Sequence, residues 1–203
     1  MPIFQSEKGL VFYAHIPKCG GMSIEQKLSF LPTHLKTPFL HGEKQQRFPC
    51  SPQHFHSEII TRLFDVDALH YSFTVTRHPY NRLISEYKFR SDIAKRQSRE
   101  MPDINNWIEN TFKNYAENNF ILDNHIRPQG EFLIPGMDVM KLEDGMDAIF
   151  ARISEALGID KMPVTAHANK STEMNLTVSR DSRDLVRDFY KSDLEYFNYS
   201  PDF

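Results

Sequence analysis

Two short segments of this chain combine side chains whose types and spacing suit the binding of an anion. The first is His15-Ile16-Pro17-Lys18-Cys19-Gly20-Gly21-Met22-Ser23. Gly20 and Gly21 let backbone amides come close to a ligand. A helix opening at this point adds about half a positive charge at its N-terminus. Lys18 supplies a full charge and Ser23 a hydroxyl donor, so the segment reads as a phosphate cradle. The lysine precedes the glycines, which distinguishes it from the G-x-x-x-x-G-K-[ST] loop. A plainer reading of the same residues is a Gly-Gly turn with an exposed lysine. The second segment is Arg77-His78-Pro79-Tyr80-Asn81-Arg82-Leu83-Ile84-Ser85. The Arg77 guanidinium offers paired donors to phosphate. Ser85, about two helical turns later, can share the same anion. Taken singly, each is an ordinary surface arginine or helix serine. Two such units, each where a strand gives way to a helix, are hard to attribute to chance.

Between them lies Gln53-His54-Phe55-His56-Ser57-Glu58. Imidazole has an ordinary pKa near 6.5, which suits a general base at neutral pH. Cys50, His54 and His56 also have a ligand-like spacing, with His41 nearby, but no fourth ligand completes a standard metal motif. Lys88, Arg90, Lys95, Arg96 and Arg99 follow the second segment closely. They are either a solvated helix face or a surface for an acidic acceptor.

These residues need elements to position them. Leu10–His15 is a short aromatic-rich run expected to be a buried strand, and residues 23–30 a helix with Ser23 as its N-cap. Residues 31–56 hold four prolines and read as a long connection. Residues 57–64 fit one or two helical turns, with Ile59, Ile60 and Leu63 inward. Residues 71–77 alternate as a second strand. Pro79 suits the first position of a helix running into the 90s. Residues 105–117 are a further helix, 138–142 a third strand, and 144–157 a helix closed by Gly158. The last helix is expected over 181–197, capped by Asp181 or Ser182, with Leu185, Phe189 and Leu194 buried. Strands alternating with helices imply an α/β fold with a central parallel sheet flanked by helices.

With 203 residues, 40% hydrophobic and 25% charged, the chain fits one folded domain over 1–203 and not a disordered or disulfide-framework protein. Its net charge is −3, yet residues 1–100 carry 14 Lys+Arg against 9 Asp+Glu, while 101–203 carry 10 against 18. That split points to a local anion site and away from nucleic acid. No run is long and apolar enough for a membrane span, and no secretory leader is visible. Two cysteines, expected as free thiols, fit a cytoplasmic location.

The segments HIPKCGGMS and TVTRHPYNRLISEY together resemble the two nucleotide-binding signatures of sulfotransferases that use 3′-phosphoadenosine 5′-phosphosulfate (PAPS). The nearest type is the bacterial relatives of the heparan and chondroitin sulfotransferases. NHIRPQGEFL, VMKLED, AHANKS and VRDFYKSDLEYFNY resemble later segments of that family. The resemblance implies a P-loop-like three-layer α/β fold. It implies that Lys18, Cys19, Gly20, Gly21, Met22 and Ser23 bind the 5′-phosphosulfate, and that Arg77 and Ser85 bind the 3′-phosphate. Cys19 and Met22 stand where the family usually has Thr or Ser, which leaves Ser23 as the one side-chain hydroxyl of the loop. Lys18 would stabilise the leaving phosphate. His54 aligns best with the family's catalytic base, with His56 as runner-up. The resemblance further implies PAP as product, no metal, and a hydroxyl acceptor, with an acidic glycan as one candidate. His125, Arg127, Gln129 and Lys170 are second-rank acceptor-side residues. Two rival functions remain open: an ATP- and Mg²⁺-dependent phosphotransferase, which the arginine at the end of the second strand disfavours, and a non-catalytic nucleotide-binding module.

Overall fold

The structure, a computed structural model, describes residues 1–35, 48–160 and 174–203. The chain forms two compact units. Unit 1 comprises Met1–Arg77 and Glu131–Ala168, and unit 2 comprises His78–Gly130 and Asn169–Phe203.

Unit 1 is built on a five-stranded sheet. Its strands are β1 (Ile3–Ser6), β2 (Gly9–Ala14), β3 (Thr33–Leu35), β4 (Leu69–Thr76) and β5 (Asp138–Lys141), in the order β3-β1-β2-β4-β5. The centre is parallel, with Tyr13 beside Phe73 and Val75 beside Met140. β1 and β3 extend it with antiparallel pairing. The expected α/β fold is therefore present, as a mixed sheet with a parallel centre. Sequence reading missed β1, which pairs with β2 through a tight turn in which Ser6 Oγ donates to the Gly9 carbonyl at 2.9 Å. It also missed β3, which lies inside the segment read as a long connection; residues 36–47 of that segment are outside the described residues.

The side-chain period of two decides what faces the helices. Val11 and Tyr13 of β2, Phe73 and Val75 of β4 and Met140 of β5 form one core. Ile24 of α1 (Gly21–Lys27) and Ile149, Ile153 and Leu157 of α5 (Met146–Leu157) pack into it. Gly158 ends α5 in the left-handed conformation, as expected. The short α2 (Ser57–Leu63) buries Ile60, while Leu63, expected inward, is 56% exposed. Seven residues give α2 about two turns, so its inward stripe is a single position wide.

Unit 2 contains α3 (Pro79–Arg96), α4 (Ile104–Glu117), α6 (Arg180–Phe189) and α7 (Lys191–Tyr196). Its core joins Leu83 and Tyr87 of α3, Trp107 and Ile108 of α4, and Val186 with Tyr190. Phe112 and Phe189 stack with their rings 4.0 Å apart. The single final helix expected from sequence is broken at Tyr190, whose hydroxyl donates to the Ile126 carbonyl at 2.7 Å. The cap is Ser179, whose Oγ accepts from the Ser182 N–H. Leu194 is buried and Phe189 packs against the core as expected, but Val186 is buried in place of Leu185, which is 42% exposed. Among the described residues no helix is long and apolar enough to cross a membrane.

Candidate active site

β2 ends at Ala14 and α1 begins at Gly21, so residues 15–20 form a turn between a central strand and a helix. Gly20 caps α1 with φ +80 and ψ 13, a left-handed conformation that glycine adopts without steric cost. Ser23, expected as the cap, lies inside the first turn instead, with its N–H donating to the Gly20 carbonyl at 3.0 Å. The helix starts earlier because Gly20 can take the cap conformation and Ser23 is not needed for it. Lys18 also has a positive φ, +67, which costs a residue with a Cβ about 1–2 kcal/mol. Arg77, which follows β4 directly, holds that strained turn: its Nη1 donates to the Lys18 carbonyl at 3.3 Å.

The two departures from the family pattern point opposite ways. Cys19 is fully buried, with its thiol 3.6 Å from the Pro17 carbonyl, whereas Met22 is 65% exposed. Neither side chain offers a hydroxyl. The donors grouped at this turn are the amides at the start of α1, the Lys18 ammonium and the Ser23 hydroxyl. That set suits a phosphate group, since a helix N-terminus and a lysine both favour negative charge.

His54 closes the single turn Pro52–His54, and His56 immediately precedes α2. Each is 4% exposed. His56 Nε2 lies 3.7 Å from a Glu58 carboxylate oxygen. The Cys50 thiol reaches the His54 backbone carbonyl at 3.7 Å. His41, the remaining member of the metal-like spacing, lies outside the described residues, as does Lys170.

Sequence reading missed a cluster joining these two parts of unit 1. His15 Nδ1 lies 2.5 Å from Glu25 Oε1, and Gln53 Nε2 donates to the same oxygen at 3.2 Å. Burial pushes the Glu25 carboxyl up, but the hydrogen bond and charge of His15, with the Gln53 amide, outweigh it and hold the group below the usual carboxylate range. The His15 ring also packs edge-on to the His54 ring, 5.6 Å between centroids. On its other side it meets Gly21, where a Cβ would lie 2.3 Å from His15 Nε2. The only sequence signal was the position of His15 at the end of a strand beside a Gly-Gly pair.

The model of the sulfotransferase family matches residues 1–200. The chain belongs to the sulfotransferase family. No curated protein and no solved structure matches it. The match runs across both units of this sulfotransferase, so the family signal is not confined to the Lys18–Ser23 turn.

In unit 2 three of the second-rank residues, His125, Arg127 and Gln129, take part in buried hydrogen bonds. Glu86 is fully buried, accepting from Arg90 Nε at 2.6 Å and lying 2.7 Å from His125 Nδ1. Burial alone would raise its carboxyl; the charges of His125 and Arg90 and their hydrogen bonds reverse this and hold it down at about 2. Arg82 is 1% exposed and donates to the His125 carbonyl at 2.7 Å. Arg90, one of the five basic residues after the second segment, is thus committed to Glu86 and the Leu122 carbonyl. Lys95, Arg96 and Arg99 remain exposed. Arg127 bonds Asn124, and the Gln129 and Gly130 amides donate to the buried Asp193. Ser85 is half-buried on α3.

Proposed function

We propose that this sulfotransferase moves the sulfuryl group of PAPS to a hydroxyl acceptor, with His54 as the base and an acidic carbohydrate as the acceptor class. The observation that carries the reading is the turn at Lys18–Ser23: a strained lysine, a left-handed Gly20 and a helix N-terminus, held at the Lys18 carbonyl by Arg77. PAPS supplies the sulfuryl group, whose bond to the 5′-phosphate oxygen breaks as the acceptor oxygen bonds to sulfur, leaving PAP. The amides of α1 and the Ser23 hydroxyl bind and orient the phosphosulfate end. Lys18 neutralises the charge that develops on the departing phosphate. Arg77 and Ser85 are assigned to the 3′-phosphate. His54 takes the acceptor proton at a ring nitrogen, and His56 is the alternative base. No metal is needed for these roles. The two units together are assigned to one sulfotransferase domain over 1–203, in keeping with a family match that covers both.

The test is transfer of labelled sulfate from PAPS to a panel of glycans, peptides and small hydroxyl compounds, with ATP as a control donor. Lys18→Ala and Arg77→Ala are expected to abolish PAP binding measured by calorimetry. His54→Ala is expected to keep PAP binding and lose transfer. Unchanged PAP affinity in both loop variants overturns the cofactor assignment. Loss of transfer in His56→Ala, with His54→Ala active, moves the base to His56.

A further inference from the structure

The proposed reading gives no task to His15, Glu25 or Gln53, although these three side chains interlock. Glu25 Oε1 receives both His15 Nδ1, at 2.5 Å, and Gln53 Nε2, at 3.2 Å. Gln53 Nε2 is also 3.2 Å from His15 Nδ1, so two donors converge side by side on the one carboxylate oxygen. Each of the three comes from a different stretch of unit 1. His15 follows β2, Glu25 lies on α1, and Gln53 lies in the turn that ends at His54. An ionised Glu25 requires the proton of the pair on His15 Nδ1, which fixes the tautomer and the ring plane. The ring so fixed faces Gly21 with one edge and stands edge-on to His54. A side chain at 21 would displace the imidazole, because its Cβ would lie 2.3 Å from His15 Nε2.

We propose that His15, clamped by Glu25 and Gln53, is a positioning residue that fixes the His54 ring relative to the phosphate loop. The inference rests on the sulfotransferase reading with His54 as base. Transfer requires the phosphosulfate end and the base to be held together, and a displacement of about 1 Å costs on the order of a hundredfold in rate. Loop amides and Lys18 hold one side, and the turn Pro52–His54 holds the other. The His15–Glu25–Gln53 contact ties α1, which carries the loop's amides, to the residue next to His54.

Three variants test this: His15→Asn, Glu25→Gln and Gln53→Leu. Each is measured for PAP affinity by calorimetry, for melting temperature, and for kcat and KM of transfer from PAPS as a function of pH. His15→Asn and Gln53→Leu are expected to bind PAP within about threefold of the wild type and to lose about 10- to 100-fold in kcat with KM for PAPS little changed. Glu25→Gln retains the shape of the contact without its charge. It is expected to lose less in kcat than the other two, with PAP affinity and KM for PAPS little changed. Glu25 and Gln53 are half-buried and His15 is buried, so the variants at 25 and 53 disturb the fold least. A lowered melting temperature with kcat unchanged in Gln53→Leu and Glu25→Gln overturns the inference. Loss of PAP binding in His15→Asn together with Gln53→Leu also overturns it, since the cluster would then serve the loop alone. A wild-type protein that neither binds PAP nor transfers sulfate defeats the functional reading itself, an outcome these variants do not share.

Discussion

Tyr13 and Gly21 make opposite demands on the same small region. The Tyr13 ring is fully buried and stacks on Phe73, yet among the described residues its hydroxyl has no hydrogen-bond partner. Burial, then the charges of Glu25 and Cys19, push that phenol well above its ordinary value. A buried hydroxyl left unpaired costs about 1–3 kcal/mol. Tyr13→Phe is therefore expected to raise the melting temperature by removing the hydroxyl while keeping the stack, and thermal unfolding checks it. Gly21→Ala is expected to do the reverse, because its methyl would lie 2.3 Å from His15 Nε2. Adding His15→Ala removes the colliding ring, so the double variant is expected to melt above Gly21→Ala alone. That coupling identifies the collision as the cause. Neither requirement can be read from residue types: the need for glycine at 21 arises from a ring six positions earlier in the chain.

At the scale of elements, α3 is secured by a buried acid and α6 by a serine. Glu86 on α3 carries a carboxyl held at about 2, against an ordinary value of 4.5. Its contribution to stability is fully present above pH 4.5 and is lost as the pH falls from there towards 2. Urea midpoints of the wild type should drop over that window, and those of Glu86→Gln should drop less steeply, since Glu25 and Asp103 still titrate there. At pH 7 the same variant leaves Arg90 and His125 without their carboxylate, at a cost of about 3–5 kcal/mol. Ser179→Ala removes the acceptor for the Ser182 N–H and should lower stability by about 1 kcal/mol in the same measurement. Elements with a strong local signal were legible: Pro79 opens α3 and Gly158 closes α5 where sequence placed them. The break at Tyr190 was not, because it depends on a hydrogen bond to Ile126, 64 residues away in the chain. β1 escaped for a similar reason, since a four-residue strand is defined by the neighbour it pairs with.

Across the whole molecule, the charge asymmetry that drew attention in the sequence does not survive folding. Residues 1–100 hold an excess of positive charge along the chain. The two units draw on both halves, and unit 1 carries 11 Lys+Arg against 13 Asp+Glu, unit 2 13 against 14. The proposed anion binding therefore rests on a few placed charges: Lys18, Arg77 and the start of α1. PAP affinity should fall several-fold as ionic strength rises from about 0.01 to about 1 M, where the screening length shrinks from about 30 to about 3 Å. An affinity independent of salt would count against these contacts. Sequence by itself determined the family, the α/β class and the two anion-suited segments, because each depends on residue types at short spacings: glycines after a lysine, a proline opening a helix, apolar runs of period two or near four. Only the tertiary structure decided that β1 and β3 make the sheet mixed, that Arg90 is bound to Glu86 and not offered to an acceptor, and that His15, Glu25 and Gln53 meet. The β1–β3 pairing and the His15–Glu25–Gln53 contacts join residues 10 to 38 positions apart, and their energies come from burial and exclusion of water, which exist only once the chain has folded.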